Sequence, residues 1–221
     1  EDHPQILGGR DLEAQGTWMA VDTAGRMGCV TNYRDLRVPL LPQAPSRGKL
    51  VPDFLTQNLP AETYLQQLEN QADLFNGYNL LLRDSSGLFH YSNQEREINK
   101  LEPGIHGLSN HLMNTPWPKV TKLKSKIQAL VEQASFSVDD WFLTLQDSDT
   151  APRGELPSTG VPLEFEEALS AMFISIPQRN YGTRVSTLLL VDNGGKMYFE
   201  ERAYVPSGLR KVFELNTLAS T

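Results

Sequence analysis

The side chains best suited to chemistry lie in short polar stretches beside glycines or at strand ends. They are Gly16-Thr17-Trp18, Thr31-Asn32-Tyr33, Asn76-Gly77-Tyr78-Asn79, Gly107-Leu108-Ser109-Asn110, Thr115-Pro116-Trp117-Pro118-Lys119 and Tyr181-Gly182-Thr183-Arg184. Asn32, Asn79, Asn110 and Arg184 supply N–H donors of the kind that hold an oxyanion or pair with a carboxylate. Asparagine beside glycine also has a plainer use, closing turns, and for any one of these taken alone that use carries more weight. Trp117 stands between two prolines, on a stiff segment that opens a helix. Such a ring serves equally as a core plug or as a platform for a ligand.

Other chemistries find less support. No two of His3, His90, His106 and His111 are four residues apart and there is no Cys–His cluster, so no metal ion is expected. His106 and His111 flank Asn110 and are of a type that ligates haem iron, although partly exposed, hydrogen-bonded imidazoles are the more ordinary outcome. Cys29 sits in a strand-like run with Met27 and Val30 and has no neighbouring Lys or His to lower its pKa. It reads as a small buried hydrophobe rather than a nucleophile. One cysteine forms no intrachain disulfide. Glycine-rich nucleotide loops are missing, Gly8-Gly9 and Gly194-Gly195 read as turns, and no acid pair suggests glycoside hydrolysis.

Bulk properties narrow the class further. The 221 residues are 39% apolar and 21% charged, with a formal net charge of −7. A chain of this size buries roughly 70% of its unfolded surface, enough for one sizeable core. The acidic balance argues against nucleic-acid partners, which require a surplus of cations. The longest apolar runs, such as Leu188–Val191, are too short to span a bilayer. The charged, turn-like start Glu1-Asp2-His3-Pro4 does not resemble a secretion signal, and a cytoplasmic location is the resulting expectation.

Patterning then supplies the elements that must position these groups. Thr17–Val21 and Arg26–Tyr33 form a hairpin around Asp22-Thr23-Ala24-Gly25, and a second hairpin joins Gly77–Asp84 to Leu88–Tyr91. Helices are predicted over Leu50–Gln57 and Ala61–Asn70, and from Pro118, where Val120, Leu123, Ile127, Leu130, Val131 and Ala134 recur at helical spacing. Lys119, Lys122, Lys124 and Lys126 mostly fall elsewhere on that helix, as a solvated face. Asp139–Leu145 is a further helix with Ser137 as its cap, and Glu164–Ser170 a weaker one. Gly104–Asn110 is a short strand or loop, residues 147–162 an excursion loop, and Met172–Ile176 a strand. Thr183–Asp192 and Lys196–Tyr204 form a third hairpin, and Leu209–Leu215 an edge strand. Hairpins before and after central helices give one α+β domain over 1–221.

Taken in order, the polar stretches, together with Arg47-Gly48 and Glu201-Arg202-Ala203-Tyr204, resemble the NRDE family, also called the transport and Golgi organisation protein 2 family. The resemblance runs from about Gly8 to Tyr204. Family members begin with Met-Cys, a strand and the Asn-Arg-Asp-Glu sequence, whereas the sequence read here starts at Glu1, without them. The resemblance implies the four-layer αββα sandwich of the N-terminal-nucleophile hydrolases, with antiparallel sheets.

In the cysteine branch of those hydrolases the first residue attacks an amide through its thiol, with its own α-amino group as base. On that resemblance Asn32, Asn79 and Asn110 orient substrate or hold the oxyanion, and Arg184 pairs with a carboxylate or supports the nucleophile. Glu1 carries no thiol, and Cys29 is misplaced to replace one. The resemblance also implies intracellular haem handling, with haem as cargo at a site of Trp117, Lys119, Trp18 and His106 or His111. Trp117-Pro118-Lys119 matches a Trp-Pro-basic motif linked to that role, and a ring beside a cation suits a flat macrocycle bearing propionates. Haem trafficking is therefore the first expectation. The second is an amidohydrolase with its nucleophile upstream of Glu1, and the third a module that binds acyl or lipid-like anions.

Overall fold

The computed structural model describes residues 3–133, 135–205 and 207–216, so Glu1 and Ala134 lie outside the described residues. It divides into two compact units, one of residues 1–103, 109–113 and 216–221, the other of 104–108 and 114–215. Both are mixed α and β with antiparallel sheets.

The first unit is a six-stranded meander in the order β1-β2-β3-β4-β5-β6. Its strands are β1 (Ile6–Gly8), β2 (Met19–Asp22), β3 (Met27–Asn32), β4 (Tyr78–Asp84), β5 (Gly87–Ser92) and β6 (Ile98–Lys100). Alternation along β4 sends Tyr78, Leu80 and Leu82 into a core shared with Val30, Phe89 and Tyr91. Helices α1 (Leu50–Thr56) and α2 (Ala61–Glu69) complete that core. Leu50, Val51, Phe54 and Leu55 are the buried face of α1, and Ala61, Tyr64, Leu65 and Leu68 that of α2, spaced one turn apart. Arg26 lies over the Phe54 ring and donates to the carbonyls of Phe54 and Gln57 at the open C-terminal end of α1.

The second unit carries a three-stranded sheet in the order β11-β10-β9, built from β9 (Val185–Val191), β10 (Lys196–Tyr204) and β11 (Ser207–Asn216). Asp192 Oδ1 closes the β9–β10 turn by accepting from the backbone N–H groups of Gly194 and Lys196 at 2.8 and 2.9 Å. Helix α4 (Val138–Leu145) packs against α3 (Pro118–Val131) and β9, burying Phe142. Ser137 caps α4 in a reciprocal box with Asp140. Helix α5 (Leu163–Leu169) precedes a small ribbon of β7 (Ser175–Ile176) and β8 (Tyr181–Gly182).

Several expectations need correction. Gly8 ends a strand rather than making a turn, whereas Gly104–Asn110 takes the loop form of its two expected alternatives. Only Ser175–Ile176 of the predicted Met172–Ile176 strand pairs in a sheet, because the Phe173 amide instead donates to the Asp147 carbonyl. The lysines of α3 do not form a merely solvated face. Lys122 and Lys126 both reach Asp147, at 2.8 and 2.5 Å, Lys124 reaches Asn114 Oδ1 at 2.8 Å, and Lys119 reaches the Leu169 carbonyl at 3.0 Å. Cys29 is half-buried, and burial pushes its thiol up to about 12, which leaves no thiolate for chemistry.

One close approach joins two of the polar stretches. A β-carbon on Gly16 would lie 2.5 Å from the carbonyl carbon and oxygen of Gly48, where the Thr17 amide already donates to that oxygen at 2.9 Å. Gly16→Ala is expected to destabilise the protein by about 1–3 kcal/mol, read as a lower urea midpoint at unchanged m-value.

Candidate functional site

Four of the polar stretches meet, with Arg47-Gly48, at one end of the six-stranded sheet in the first unit. The Gly77 carbonyl accepts from Arg47 at 2.8 Å and from the Tyr33 amide at 2.9 Å. Gly16 abuts Gly48 as described. The loop carrying Ser109, Asn110 and His111 is fastened to the same strand ends. Asn110 Nδ2 donates to the Asn32 carbonyl at 3.1 Å, and the Arg34 amide returns a 2.7 Å bond to the Asn110 carbonyl. Thr31 Oγ1 adds a 3.4 Å bond to the Ser109 carbonyl.

Asn79 is the centre of this arrangement. It is fully buried on β4, opposite Thr31 on one side and Ser92 on the other. Its Nδ2 donates to the His111 carbonyl at 2.9 Å, and its Oδ1 lies 3.1 Å from His90 Nε2. Because a backbone carbonyl only accepts, the amide orientation is fixed and Oδ1 must face His90. His90 Nε2 therefore carries the proton, and Nδ1 is the bare nitrogen, buried and without a partner. Beyond the loop, the Tyr33 hydroxyl lies 2.8 Å from His111 Nε2, with the two rings 4.8 Å apart. Burial lowers the His111 imidazole and raises the Tyr33 phenol, so both are neutral near pH 7. Asp35, held by Arg37 at about 2, remains a carboxylate nearby.

The predicted residues thus divide. Asn79, Asn110 and His111 come together with the main chain of Asn32. The Asn32 side chain is exposed, and its pairing with Tyr78 sets it on the opposite sheet face from Asn79. Trp18 lies in the same unit, 44% exposed. The other four fall in the second unit. Arg184 is exposed between β8 and β9, and His106 is exposed with its Nδ1 3.2 Å from Asn114 Nδ2. Trp117 is buried at the start of α3, where its carbonyl accepts from the amides of Val120 and Thr121. Lys119, beside it, meets the last carbonyl of α5.

Next to that motif the second unit holds a cavity of about 590 Å³, within the range of small-molecule sites. Pro116, Pro118 and Lys119 form one wall, with Lys122, Ser170 and Met172 also lining it. Sequence reading missed Met172 and Ser170, which follow α5 and carry no motif. It also gave Tyr33 and His90 no part in a site, although Tyr33 stood inside a quoted stretch and His90 inside the second hairpin, where the structure pairs it with Leu81. Among the described residues no group of three or more His, Cys, Asp or Glu is placed to hold a metal ion, and no helix is long and apolar enough to cross a membrane.

Antiparallel sheets with helices against them, and glycine- and asparagine-rich stretches gathered at a strand end, define a mixed α/β protein with a built polar site. The chain belongs to the family described as Transport and Golgi organisation 2, which matches residues 1–206. It is 32% identical over 235 residues to the mouse (Mus musculus) Transport and Golgi organization 2 homolog, covering 100% of this chain and 84% of that protein. Against the human (Homo sapiens) Transport and Golgi organization protein 2 homolog the identity is 32% over 220 residues, covering 93% and 79%. With Transport and Golgi organization protein 2 of Drosophila melanogaster it is 27% over 222 residues, covering 90% and 76%.

The buried imidazole gives the site a pH signature. Burial lowers His90 to about 4 against an ordinary value near 6.5. Between those values the unfolded chain binds the extra proton, so stability rises with pH there and is lost as pH falls from about 6.5 toward 4. The loss reaches about 3 kcal/mol at most. Thermal melts should show a lower Tm at pH 5 than at pH 7, and His90→Gln, which keeps a donor toward Asn79, should flatten that dependence.

Proposed function

We propose that the chain binds haem and hands it on, acting as a haem-trafficking protein of the cytoplasm. The observation that carries this reading is the 590 Å³ cavity walled by Pro116, Pro118 and Lys119. The prolines make a rigid apolar wall for a flat macrocycle. Lys119, which spends one of its three donors on the Leu169 carbonyl, supplies the cation for a propionate, Lys122 being already paired with Asp147 and Asp149, and Met172 brings a thioether of the kind that ligates haem iron. Trp117 acts from behind the wall: buried, it holds the Pro116–Lys119 turn in place. Contacts that are individually weak suit a protein that must release its cargo.

The asparagine cluster supports a second reading, amide hydrolysis on an N-terminal-nucleophile scaffold. Asn110, half-buried at the strand end, would hold the oxyanion, while Asn79 has committed one donor to His111 and serves to position the loop. Arg184 would pair with a substrate carboxylate, and the thiol would come from a residue upstream of Glu1. The four-layer αββα sandwich implied by the resemblance belongs to the same proposal, supported by the antiparallel sheets and the helices beside them.

Haemin titration tests the first reading. A shifted Soret band at micromolar haemin is expected, weakened about tenfold by Lys119→Ala, the loss of one charged hydrogen bond. Met172→Ala should alter the band position as well as the affinity. An unshifted spectrum would refute haem binding. Release of amine from amide substrates, blocked by thiol alkylation of protein carrying a leading cysteine, would favour the second reading instead.

A further inference from the structure

The strand β11 is ten residues long, forms one edge of the second unit's sheet, and is exposed at every position except Leu215. Long open edges invite pairing, and natural ones are usually guarded by proline, bulges or charge. No proline interrupts Ser207–Asn216, so the guards here are Arg210, Lys211 and Glu214. These charges are arranged to match the strand itself.

We propose that β11 pairs antiparallel with β11 of a second copy of the chain, about a two-fold axis at Val212. In that register Arg210 faces Glu214 of the second copy, and the symmetry repeats the pair. Lys211 faces Phe213, Leu209 faces Leu215, and Val212 meets itself. The rungs inside one chain extend the pattern. Arg210 already meets Glu200 across the sheet at 2.6 and 3.0 Å, and Lys196 meets Glu214 at 2.8 Å. A row crossing the dimer therefore reads Glu200, Arg210, Glu214, Lys196, with the sign alternating at each step, an arrangement that cross-strand pairing favours.

Other registers lose this match. Centring the axis on Lys211 sets two lysines directly opposite, and centring it on Arg210 does the same with two arginines. Centring it on Phe213 leaves Glu214 facing Val212 and Arg210 facing Asn216. Odd shifts leave no residue facing its own copy, so they have no two-fold axis, and they turn the faces of one strand over relative to the other. The result is an isologous dimer with a continuous six-stranded sheet, β9-β10-β11 of one copy joined to β11-β10-β9 of the other. Its affinity would come mainly from the new main-chain ladder.

Sedimentation velocity over the micromolar range should show a monomer–dimer equilibrium. Val212→Cys should form an intermolecular disulfide on mild oxidation, because the axis sets those two β-carbons about 5 Å apart. Glu214→Cys should not, since its two copies would lie about 13 Å apart along the strand. The unsubstituted chain is the blank. Val212→Lys should raise the dissociation constant at least about tenfold by opposing like charges, with its circular dichroism melt unchanged; should that variant fail to fold, the two cysteine variants decide. A monomer at every concentration would overturn the proposal. So would a dimer indifferent to Val212→Lys, or equal bridging at positions 212 and 214.

Discussion

The polar end of the first unit depends on a single buried amide. Asn79 has no solvent to satisfy it, so both halves of its side chain must find partners in the protein or cost about 1–3 kcal/mol each. It finds them on the neighbouring strand, in the His90 ring, and on a loop distant in sequence, in the His111 carbonyl. That requirement holds the 109–111 loop over the ends of β3 and β4, and it decides which nitrogen of His90 carries a proton. The placement of Asn110 over the Asn32 carbonyl, and of His111 against Tyr33, follows from the anchored loop. Asn79 is therefore better understood as the part that positions a site than as the part that does its chemistry.

The second unit is organised by a different device. Four lysines of α3, too crowded to be a random solvated surface, each meet a specific acceptor, and two of them share Asp147. Lys122 and Lys126 hold that carboxylate well below its ordinary value, so it stays charged through any physiological pH. Both ammonium groups stay partly in water although the Asp147 carboxylate is largely covered, and each ion pair contributes modestly to stability. Their effect is directional: they fix the segment after α4 against α3 and so shape the far wall of the cavity, where Asp149 and Thr150 lie. Lys119 is different in kind, because its partner is the C-terminal carbonyl of α5, where a cation is favoured by the helix dipole.

Local chemistry made much of this legible. Pro118 opening a helix, Ser137 capping one, and Asp192-Asn193-Gly194-Gly195 turning a hairpin all act within a few residues, and the structure has each of them. Strands β1 and β6 escaped because three residues are too few to show alternation, and their pairing comes entirely from neighbours. The same division governs the site. Residue types marked the stretches around Asn32, Asn79 and Asn110, but only tertiary contacts show that the Asn32 side chain points away while its carbonyl takes part. Trp117 could be read either way from its neighbours, and only the folded chain shows it buried.

The two functional readings draw on the units unequally, and this bears on their relative merit. Every residue invoked for the cavity, from Pro116 to Met172, belongs to the second unit. Amide hydrolysis needs the asparagine cluster of the first unit, Arg184 of the second, and a thiol from neither, since Cys29 is held protonated by its burial. A mechanism assembled from three sources demands more coincidences of placement than a cavity built by one unit. The polar cluster nonetheless has a physical purpose without catalysis: it closes the open end of a sheet whose strand ends would otherwise expose unpaired carbonyls. That purpose accounts for the stretch residues whose polar groups meet backbone partners there.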